Sequence, residues 1–218
     1  MTMRKVLAFS IIVLIAAFFS ACNDESQTGV QLQEGDLLFI DLDCGPLCDA
    51  IDAVTEGVNG KDFSHCGMMV MHHDTLKVIE AIADADQLTS YEGFIGRSED
   101  SVITVGRPNS QDSEFISKAA RFAISKLGEP YDDAFLFGNQ GWYCSELLHE
   151  SFKYANDGQA FFEVSPMTFK DPIQEEYFDA WITYYEELNL PIPEGKPGVN
   201  PGGLSTSENL VIFEKRID

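Results

Sequence analysis

The chain has 218 residues, of which 44% are hydrophobic and 11% aromatic, and it carries 14 basic against 36 acidic residues. That length and apolar content suffice for one well-packed globular domain and are too small to require two. The formal net charge of −22 is repelled by phosphate backbones, which argues against nucleic acid as a partner. We interpret the acidic surface as a solubility feature.

The first 21 residues have the pattern of a removable export signal. A basic pair is followed by an apolar run from Val6 to Phe19, and two small residues then precede Cys22. The run is short for a membrane span, which needs about 20 residues. We therefore predict that residues 1–21 are removed and that Cys22 begins the mature chain.

The end of this segment, "FSAC", resembles the lipobox of bacterial lipoproteins, in which the cysteine becomes the acylated first residue. Phe19 stands where Leu is usual, and an ordinary secretory signal remains an alternative because the two signals share every other feature. The polar segment 22–33 is predicted to be a tether. The sequence thus predicts an exported lipoprotein, lipidated at Cys22 and anchored to a membrane of the bacterial cell envelope, on its periplasmic or surface face.

Four cysteines follow the predicted tether: Cys44, Cys48, Cys66 and Cys144. An oxidising compartment permits disulfides among them, but a core of this size does not require any. A zinc site is an alternative, because the first three together with His65 offer three sulfurs and one nitrogen. Their spacing is not customary for zinc, so the prediction favours no metal and no cofactor.

Hydrophobic patterns divide the rest of the chain into strands and helices. In chain order they predict a strand at 34–43, a helix that begins near Pro46 and ends before Gly57, strands at 64–72, 75–83 and 101–108, and a helix at 113–128. They then predict a helix from Cys144, another at 172–188, a Pro/Gly-rich loop at 191–209 and a last strand at 210–217. Strands clustered in the middle, with helices on either side in sequence, indicate an α+β domain.

One of these helices has a cysteine at its first position. The residues that share a face with Cys144 are Leu147, Leu148, Ser151, Phe152 and Ala155. Because that spacing is typical of one buried helical face, we expect the thiol to point toward the core. A thiol at a helix N-terminus is biased toward thiolate by the helix dipole, so this position favours a nucleophile.

The predicted hairpin brings a histidine and a glutamate to the same face of a sheet. With a turn of two residues at 73–74, Gly67 pairs with Glu80, and His65 shares the face of Glu80 because side chains alternate along a strand. The two residues then lie diagonally opposite, about 7–8 Å apart at the backbone, within reach of a side-chain hydrogen bond. A turn of three residues would break this register.

A thiol, an imidazole and a carboxylate are the parts of a Cys-His-acid hydrolase. We predict that Cys144 is the nucleophile, that His65 transfers the proton and that Glu80 orients the imidazole ring. Backbone N–H groups at the start of the Cys144 helix are candidates for the oxyanion hole. Tyr143 either donates to the oxyanion or packs, and Tyr131 either lines the pocket or belongs to an ordinary loop.

The segments "GDLLF", "FSHCGM", "VIEA", "GEPYDDAF" and "YCSELL" resemble, in order and spacing, the YiiX/YaeF-type permuted papain-like amidases, relatives of the NlpC cell-wall peptidases. The resemblance covers about Gly35 to Phe152. It implies a circularly permuted papain-like α+β fold, in which an antiparallel sheet packs against helices and the nucleophile lies at a helix N-terminus. Cys66 departs from the pattern, in which a small aliphatic residue is commoner.

The resemblance also implies the same three roles for Cys144, His65 and Glu80, and hydrolysis of amide bonds in cell-wall peptides or related small amides. We therefore predict a single hydrolase domain at 34–218, with a C-terminal extension from about residue 156 that lies outside the resemblance. Two alternatives remain open: a lipid acyltransferase or esterase of the same fold, and a lipoprotein that binds zinc or another ligand without catalysis.

Overall fold

The computed structural model describes residues 30–217, except for residues 43, 83, 84, 101 and 111. The predicted signal peptide, Cys22 and most of the predicted tether lie outside the described residues. Within the described part of the chain, no helix combines the length and the hydropathy that a membrane crossing requires.

Strands and helices mix along the chain. The strands are β1 (Leu37–Ile40), β2 (His65–His72), β3 (Thr75–Ile82), β4 (Ala85–Thr89), β5 (Val102–Pro108), β6 (Ser165–Pro166), β7 (Pro197–Gly198) and β8 (Leu210–Arg216). The helices are α1 (Pro46–Asp52), α2 (Tyr91–Ile95), α3 (Ser113–Ile124), α4 (Cys144–Ala155), α5 (Asp179–Leu188) and α6 (Pro201–Ser205).

Six strands form one antiparallel sheet in the order β4-β3-β2-β1-β5-β8, and β6 pairs with β7 in a small separate ribbon. Helices α3 and α4 cover one face of the sheet, where Cys66 and Met68 of β2 meet Leu147 and Phe152 of α4. Helix α2 covers the other face, where Phe94 packs with side chains of β1, β2 and β5. The predicted α+β class is confirmed.

The β2–β3 hairpin has the predicted turn and register. His73 and Asp74 both have positive φ angles, 47° and 58°, as a two-residue turn that matches the twist of the strands requires. The strands pair from His72 opposite Thr75 to Met68 opposite Ile79. This register is the one in which Glu80 lies diagonally across from His65.

Three predicted helices are shorter than the sequence indicates, and α3 ends at Ile124 although the helix was predicted to reach residue 128. Helix α1 ends at Asp52, where the Thr55 hydroxyl donates to the Ile51 carbonyl and competes for a helical acceptor. The helix predicted at 172–188 begins only at Asp179. The preceding residues form a turn instead, because the Asp171 carboxylate accepts from the N–H groups of residues 173 and 174.

Several short elements were not predicted. Strand β4 and helix α2 follow the hairpin directly, and Ser90 caps α2 by accepting from the Gly93 N–H at 3.0 Å. Strand β7 and helix α6 lie inside the segment predicted as a loop at 191–209. These elements have only two to five residues, which is too few for a hydrophobic period to show in the sequence.

A buried ion pair ties the start of the domain to β5. The Asp36 side chain is fully buried, and it accepts from Arg107 Nε and Nη2 at 2.8 Å each. Arg107→Met would leave this carboxylate buried without a cation, and we expect it to lower the free energy of unfolding by about 3–5 kcal/mol. Urea denaturation followed by circular dichroism measures the change.

Lys61→Met is the control for that measurement, because the carboxylate of its ion-pair partner Glu214 is exposed, whereas that of Asp36 is fully buried. Such surface pairs contribute at most about 1 kcal/mol. If Arg107→Met costs no more than Lys61→Met, the buried pair does not stabilise the fold as we expect.

Candidate active site

The candidate nucleophile lies at the first residue of α4. Tyr143 precedes the helix in an extended conformation, and Glu146 lies in the first turn of the helix, where its carboxyl group is buried. The predicted buried face of the helix is confirmed, because all of its members are buried: Cys144, Leu147, Leu148, Ser151, Phe152 and Ala155.

His65 and Glu80 are in direct contact. The distance from His65 Nε2 to Glu80 Oε2 is 2.6 Å, and both side chains are buried. Phe94 lies beside the imidazole, with 5.6 Å between the ring centroids. Gly67 permits this packing, because a Cβ atom there would come within 2.9 Å of the Phe94 ring and 2.5 Å of Val78. The side-chain hydrogen bond that the hairpin register predicted is therefore present.

Two further residues hold the Glu80 carboxylate. Thr89 donates its hydroxyl to Oε1 at 2.5 Å, and Arg97 Nη2 lies 2.7 Å from Oε1 and 2.6 Å from Oε2. Sequence reasoning missed both residues. A strand assignment for 85–89 would have placed Thr89 on the face of Glu80, since β4 pairs with β3, whereas Arg97 follows α2 and carries no local signal.

The Cys144 thiol also lies close enough to the His65 ring for each group to shift the pKa of the other. Because Nε2 contacts Glu80, the ring nitrogen left for the thiol is Nδ1. Burial opposes protonation of His65, but the hydrogen bonds and charges of Cys144 and Glu80 outweigh it and raise the pKa of the imidazole to about 9. The ring is thus protonated at neutral pH.

The pKa of the Cys144 thiol moves in the opposite direction. A hydrogen bond from the Cys66 side chain, together with the bond and the charge of His65, lowers this pKa well below its usual value despite burial. Arg97, Glu80, His65 and Cys144 then form a row of alternating charges, which limits the cost of burying each one. The arrangement is that of a thiolate–imidazolium pair supported by a carboxylate.

The pairing of the cysteines excludes the zinc site that the sequence offered as an alternative, with Cys44, Cys48, Cys66 and His65 as ligands. Cys44 and Cys48 form a disulfide, which removes two of the four ligands, whereas Cys66 and Cys144 are free and buried. Nor does any group of three or more His, Cys, Asp and Glu side chains in the described residues form a metal site. The contact between Cys66 and Cys144 was also not predicted, because the sequence placed them on separate elements.

A cavity of about 120 Å³ opens beside Cys144. Its lining is mostly apolar and aromatic, and comes from α1, the segment before α4 and the C-terminal third of the chain. Examples are Ile51, Val54, Tyr131, Phe135, Tyr143, Met167, Phe169, Trp181, Val199 and Pro201. The predicted C-terminal extension therefore builds one wall of the site, in addition to supplying β8 at the edge of the main sheet.

Both predicted pocket tyrosines line this cavity. The Tyr143 hydroxyl accepts from the Val199 N–H at 3.3 Å, and its ring packs on aromatic neighbours. Tyr131 is held by a backbone bridge to Trp142, which Gly141 allows with a φ of 101°. Burial and the nearby charge of Cys144 raise the pKa of Tyr131, so its hydroxyl is protonated and available as a donor.

An antiparallel sheet with helices, a cysteine at a helix N-terminus and a histidine on a neighbouring strand define the papain-like class, and here the histidine precedes the cysteine in the chain, as in a permuted member. Residues 31–212 match the family model described as "Permuted papain-like amidase enzyme, YaeF/YiiX, C92 family". The chain belongs to this family, which confirms the predicted resemblance and the permuted papain-like fold.

Two relatives show how far the similarity extends. The uncharacterized protein YiiX of Escherichia coli K12 is 28% identical over 153 residues, which cover 70% of this chain and 68% of that protein. A crystal structure described as that of metalloprotein yiiX from Escherichia coli O157:H7 is 25% identical, with a TM-score of 0.72, and covers 86% of this chain and 99% of the other. The similarity thus includes most of the domain and its C-terminal segment.

Proposed function

We propose that this protein is a cysteine amidase that cleaves amide bonds through a thioester on Cys144. The observation that carries the proposal is the buried His65–Glu80 hydrogen bond of 2.6 Å, with the buried Cys144 thiol beside the same imidazole. A thiolate beside a protonated imidazole supplies both the nucleophile and the proton donor that amide cleavage needs. Membership in a family of amidase enzymes agrees with this chemistry.

In the proposed reaction, the Cys144 thiolate attacks the carbonyl carbon and the C=O electron pair moves to oxygen. Backbone N–H groups in the first turn of α4, which have no helical partner, and the Tyr131 hydroxyl are the candidate donors to this oxyanion. His65 gives its proton to the leaving amine as the C–N bond breaks, which leaves a thioester and a neutral imidazole. Water then attacks the thioester with His65 as base, and the acid is released.

We propose cell-wall peptides or related small amides as substrates. A cavity of about 120 Å³ beside the thiol is large enough for a short side chain next to the scissile carbonyl, and its walls are mostly apolar. The predicted signal peptide and lipid anchor at Cys22 would place the enzyme at the cell envelope. The Cys44–Cys48 disulfide supports that location, because such bonds persist in oxidising compartments.

A lipid acyltransferase or esterase is the second candidate function. Phe135, Phe169 and Trp181 favour it, because aromatic walls next to the nucleophile suit an apolar acyl group. The first chemical step would be the same, with an alcohol in place of the amine as leaving group. A membrane anchor would bring the site close to such substrates.

The proposed reaction uses no metal. The relative from Escherichia coli O157:H7 is described as a metalloprotein, which raises the question of whether this chain has side chains that could hold a metal ion. In the described ranges no three His, Cys, Asp or Glu side chains are grouped to hold an ion, and Cys44 and Cys48 are bonded to each other. The side chains that the structure describes therefore do not fit a metal centre.

The test is to incubate the purified protein with cell-wall muropeptides and, separately, with labelled phospholipid, and to record intact mass during turnover. We expect release of an amine from muropeptides and an acyl adduct on the Cys144 peptide. An adduct formed only from phospholipid would favour the lipid enzyme. Binding of either substrate with neither adduct nor product would indicate a pocket without catalysis and contradict the proposal.

A further inference from the structure

The loop that follows Tyr131 places one aromatic ring in the wall of the cavity beside Cys144. We propose that Phe135 is a specificity-determining residue whose ring limits the size of the acyl group, and that Asp132 is the positioning residue that holds this ring. The inference rests on the proposed function, because it assumes that Cys144 is the reactive sulfur. It concerns the segment "GEPYDDAF", to which the proposed reaction gives no role beyond the Tyr131 hydroxyl.

The backbone of Phe135 has an unusual conformation. Its φ angle is 52°, in the left-handed region that bulky residues rarely adopt. Such a conformation costs free energy, persists only where the surrounding structure determines it, and is found most often at functional sites. Because Phe135 lines the cavity beside Cys144, this strained position belongs to the wall of the proposed active site.

The Asp132 carboxylate holds the backbone on both sides of Phe135. Its Oδ1 accepts from the Ala134 N–H at 2.9 Å, and its Oδ2 accepts from the Leu136 N–H at 2.7 Å. The Asn139 side chain also donates to Oδ1, at 2.5 Å. Asp132 is only 3% exposed, and hydrogen bonds to a charged acceptor are strong. These bonds therefore hold the loop in the conformation that turns the Phe135 ring toward the cavity.

Helix α5 contacts the same loop. Two tyrosine hydroxyls of this helix donate to the backbone carbonyl groups of residues 133 and 134, at 3.0 and 3.3 Å. The Phe135 ring packs against Trp181 of α5 and against Tyr143, the residue before the proposed nucleophile, with 5.8 and 5.4 Å between ring centroids. The ring is thus fixed between the start of α4 and the C-terminal segment, and it forms a firm wall.

The acyl part of the substrate is the part that this wall would meet. The cavity lining includes Cys144, to which the acyl group becomes bonded, and Tyr131, a candidate donor to the oxyanion. The leaving amine must instead lie beside His65, which gives it a proton and is not among the described residues that line the cavity. A cavity of about 120 Å³ with a fixed aromatic wall accepts a small acyl side chain and excludes a bulky one.

The experiment compares how fast two chloromethyl ketones, N-acetyl-alanyl and N-acetyl-phenylalanyl, alkylate Cys144, with the modified peptide identified by mass. The reagents differ only in the side chain next to the reacting group. In each reaction an S–C bond forms and chloride leaves, so the amine of the natural substrate need not be known. Iodoacetamide has no such side chain and reports the reactivity of the sulfur itself. We expect the alanyl reagent to react at least about tenfold faster with the unaltered protein.

Phe135→Ala should raise the rate of the phenylalanyl reagent about tenfold relative to iodoacetamide, because loss of the ring opens the wall. Asp132→Asn should move this ratio in the same direction by a smaller factor, since the amide keeps only one of the two acceptor oxygens. Phe137→Ala is the matched control and should leave the ratio unchanged, because that ring also packs on Tyr143 but does not line the cavity.

Thermal unfolding checks that each variant is folded. If Phe135→Ala is not, Phe135→Gly replaces it, because glycine accepts a positive φ without strain. If Asp132→Asn is not, Asn139→Ala replaces it, because it removes one of the three bonds to the carboxylate.

Equal ratios in Phe135→Ala and Phe137→Ala would overturn the specificity role, and an unchanged ratio in Asp132→Asn would overturn the positioning role. A similar rise in the rates of all three reagents would overturn both roles, because it indicates general loosening of the site. These results would leave the proposed function intact. The proposed function, and the inference with it, would be contradicted if His65→Ala left the iodoacetamide rate of Cys144 unchanged at pH 6, where an ordinary thiol is protonated.

Discussion

We expect the Cys144→Ala protein to hydrolyse amide substrates at least about 10,000-fold more slowly than the unaltered protein. The reason is that no thioester can form, and the N–H groups of the α4 N-terminus can stabilise an oxyanion only if a nucleophile creates one. The protein should remain folded, because the replacement removes one sulfur atom from a large core cluster. Initial rates on a muropeptide and a thermal unfolding curve measure the two effects.

Ser151→Ala is a matched control on the same helix. Ser151 is fully buried on the face that carries Cys144, two turns further along, and its hydroxyl bonds only the Leu147 carbonyl at 2.6 Å. This variant should keep nearly full activity, which would show that a small change in the α4 interface does not by itself stop turnover. Full activity in Cys144→Ala would end the cysteine-amidase proposal.

The second large effect is expected for Glu80→Gln. Loss of the carboxylate that orients the protonated His65 should lower kcat by about 100- to 10,000-fold, less severely than loss of the nucleophile.

The Glu80→Gln substitution should also change how activity depends on pH. The active form holds Cys144 as thiolate and His65 as imidazolium, so activity falls on the alkaline side as His65 loses its proton at a pKa of about 9. Because Glu80 helps to raise that pKa, Glu80→Gln should move the alkaline limb to lower pH.

Arg97→Gln should move the same limb in the opposite direction. Arg97 neutralises part of the Glu80 charge, so its removal leaves a more strongly negative carboxylate beside His65 and raises the pKa of the imidazole. The loss in kcat should be smaller, because Thr89 still holds Glu80. Profiles of kcat/KM against pH distinguish the two variants, and shifts of the same sign in both would contradict the charge order inferred for this site.

The hairpin shows what the sequence can predict. The two-residue turn fixes the pairing of β2 with β3, and side chains alternate with a period of two, so the shared face of His65 and Glu80 follows from counting. The face of α4 that includes Cys144 follows in the same way from the helical period. Local geometry alone decides these relations.

The contacts around the site could not be predicted by counting residues along one helix or hairpin. Thr89 and Arg97 reach Glu80 from a strand and a turn too short to give a periodic signal. The wall that contains Trp181 and Val199 comes from a segment whose helix begins later than predicted. Each of these contacts depends on how separate elements pack, and a single chain pattern carries no information about that packing.

The sequence by itself determined the candidate nucleophile, the histidine and its acidic partner, because each is set by a short period within one helix or one hairpin. Only the tertiary structure decided that Cys66 and Cys144 lie in the same buried cluster, that Arg97 pairs with Glu80, and that Cys44 and Cys48 bond each other rather than a metal. The physical reason is that burial and charge act through space. The ionisation of each sulfur depends on neighbours that the fold, and not the order of residues, brings within hydrogen-bonding distance.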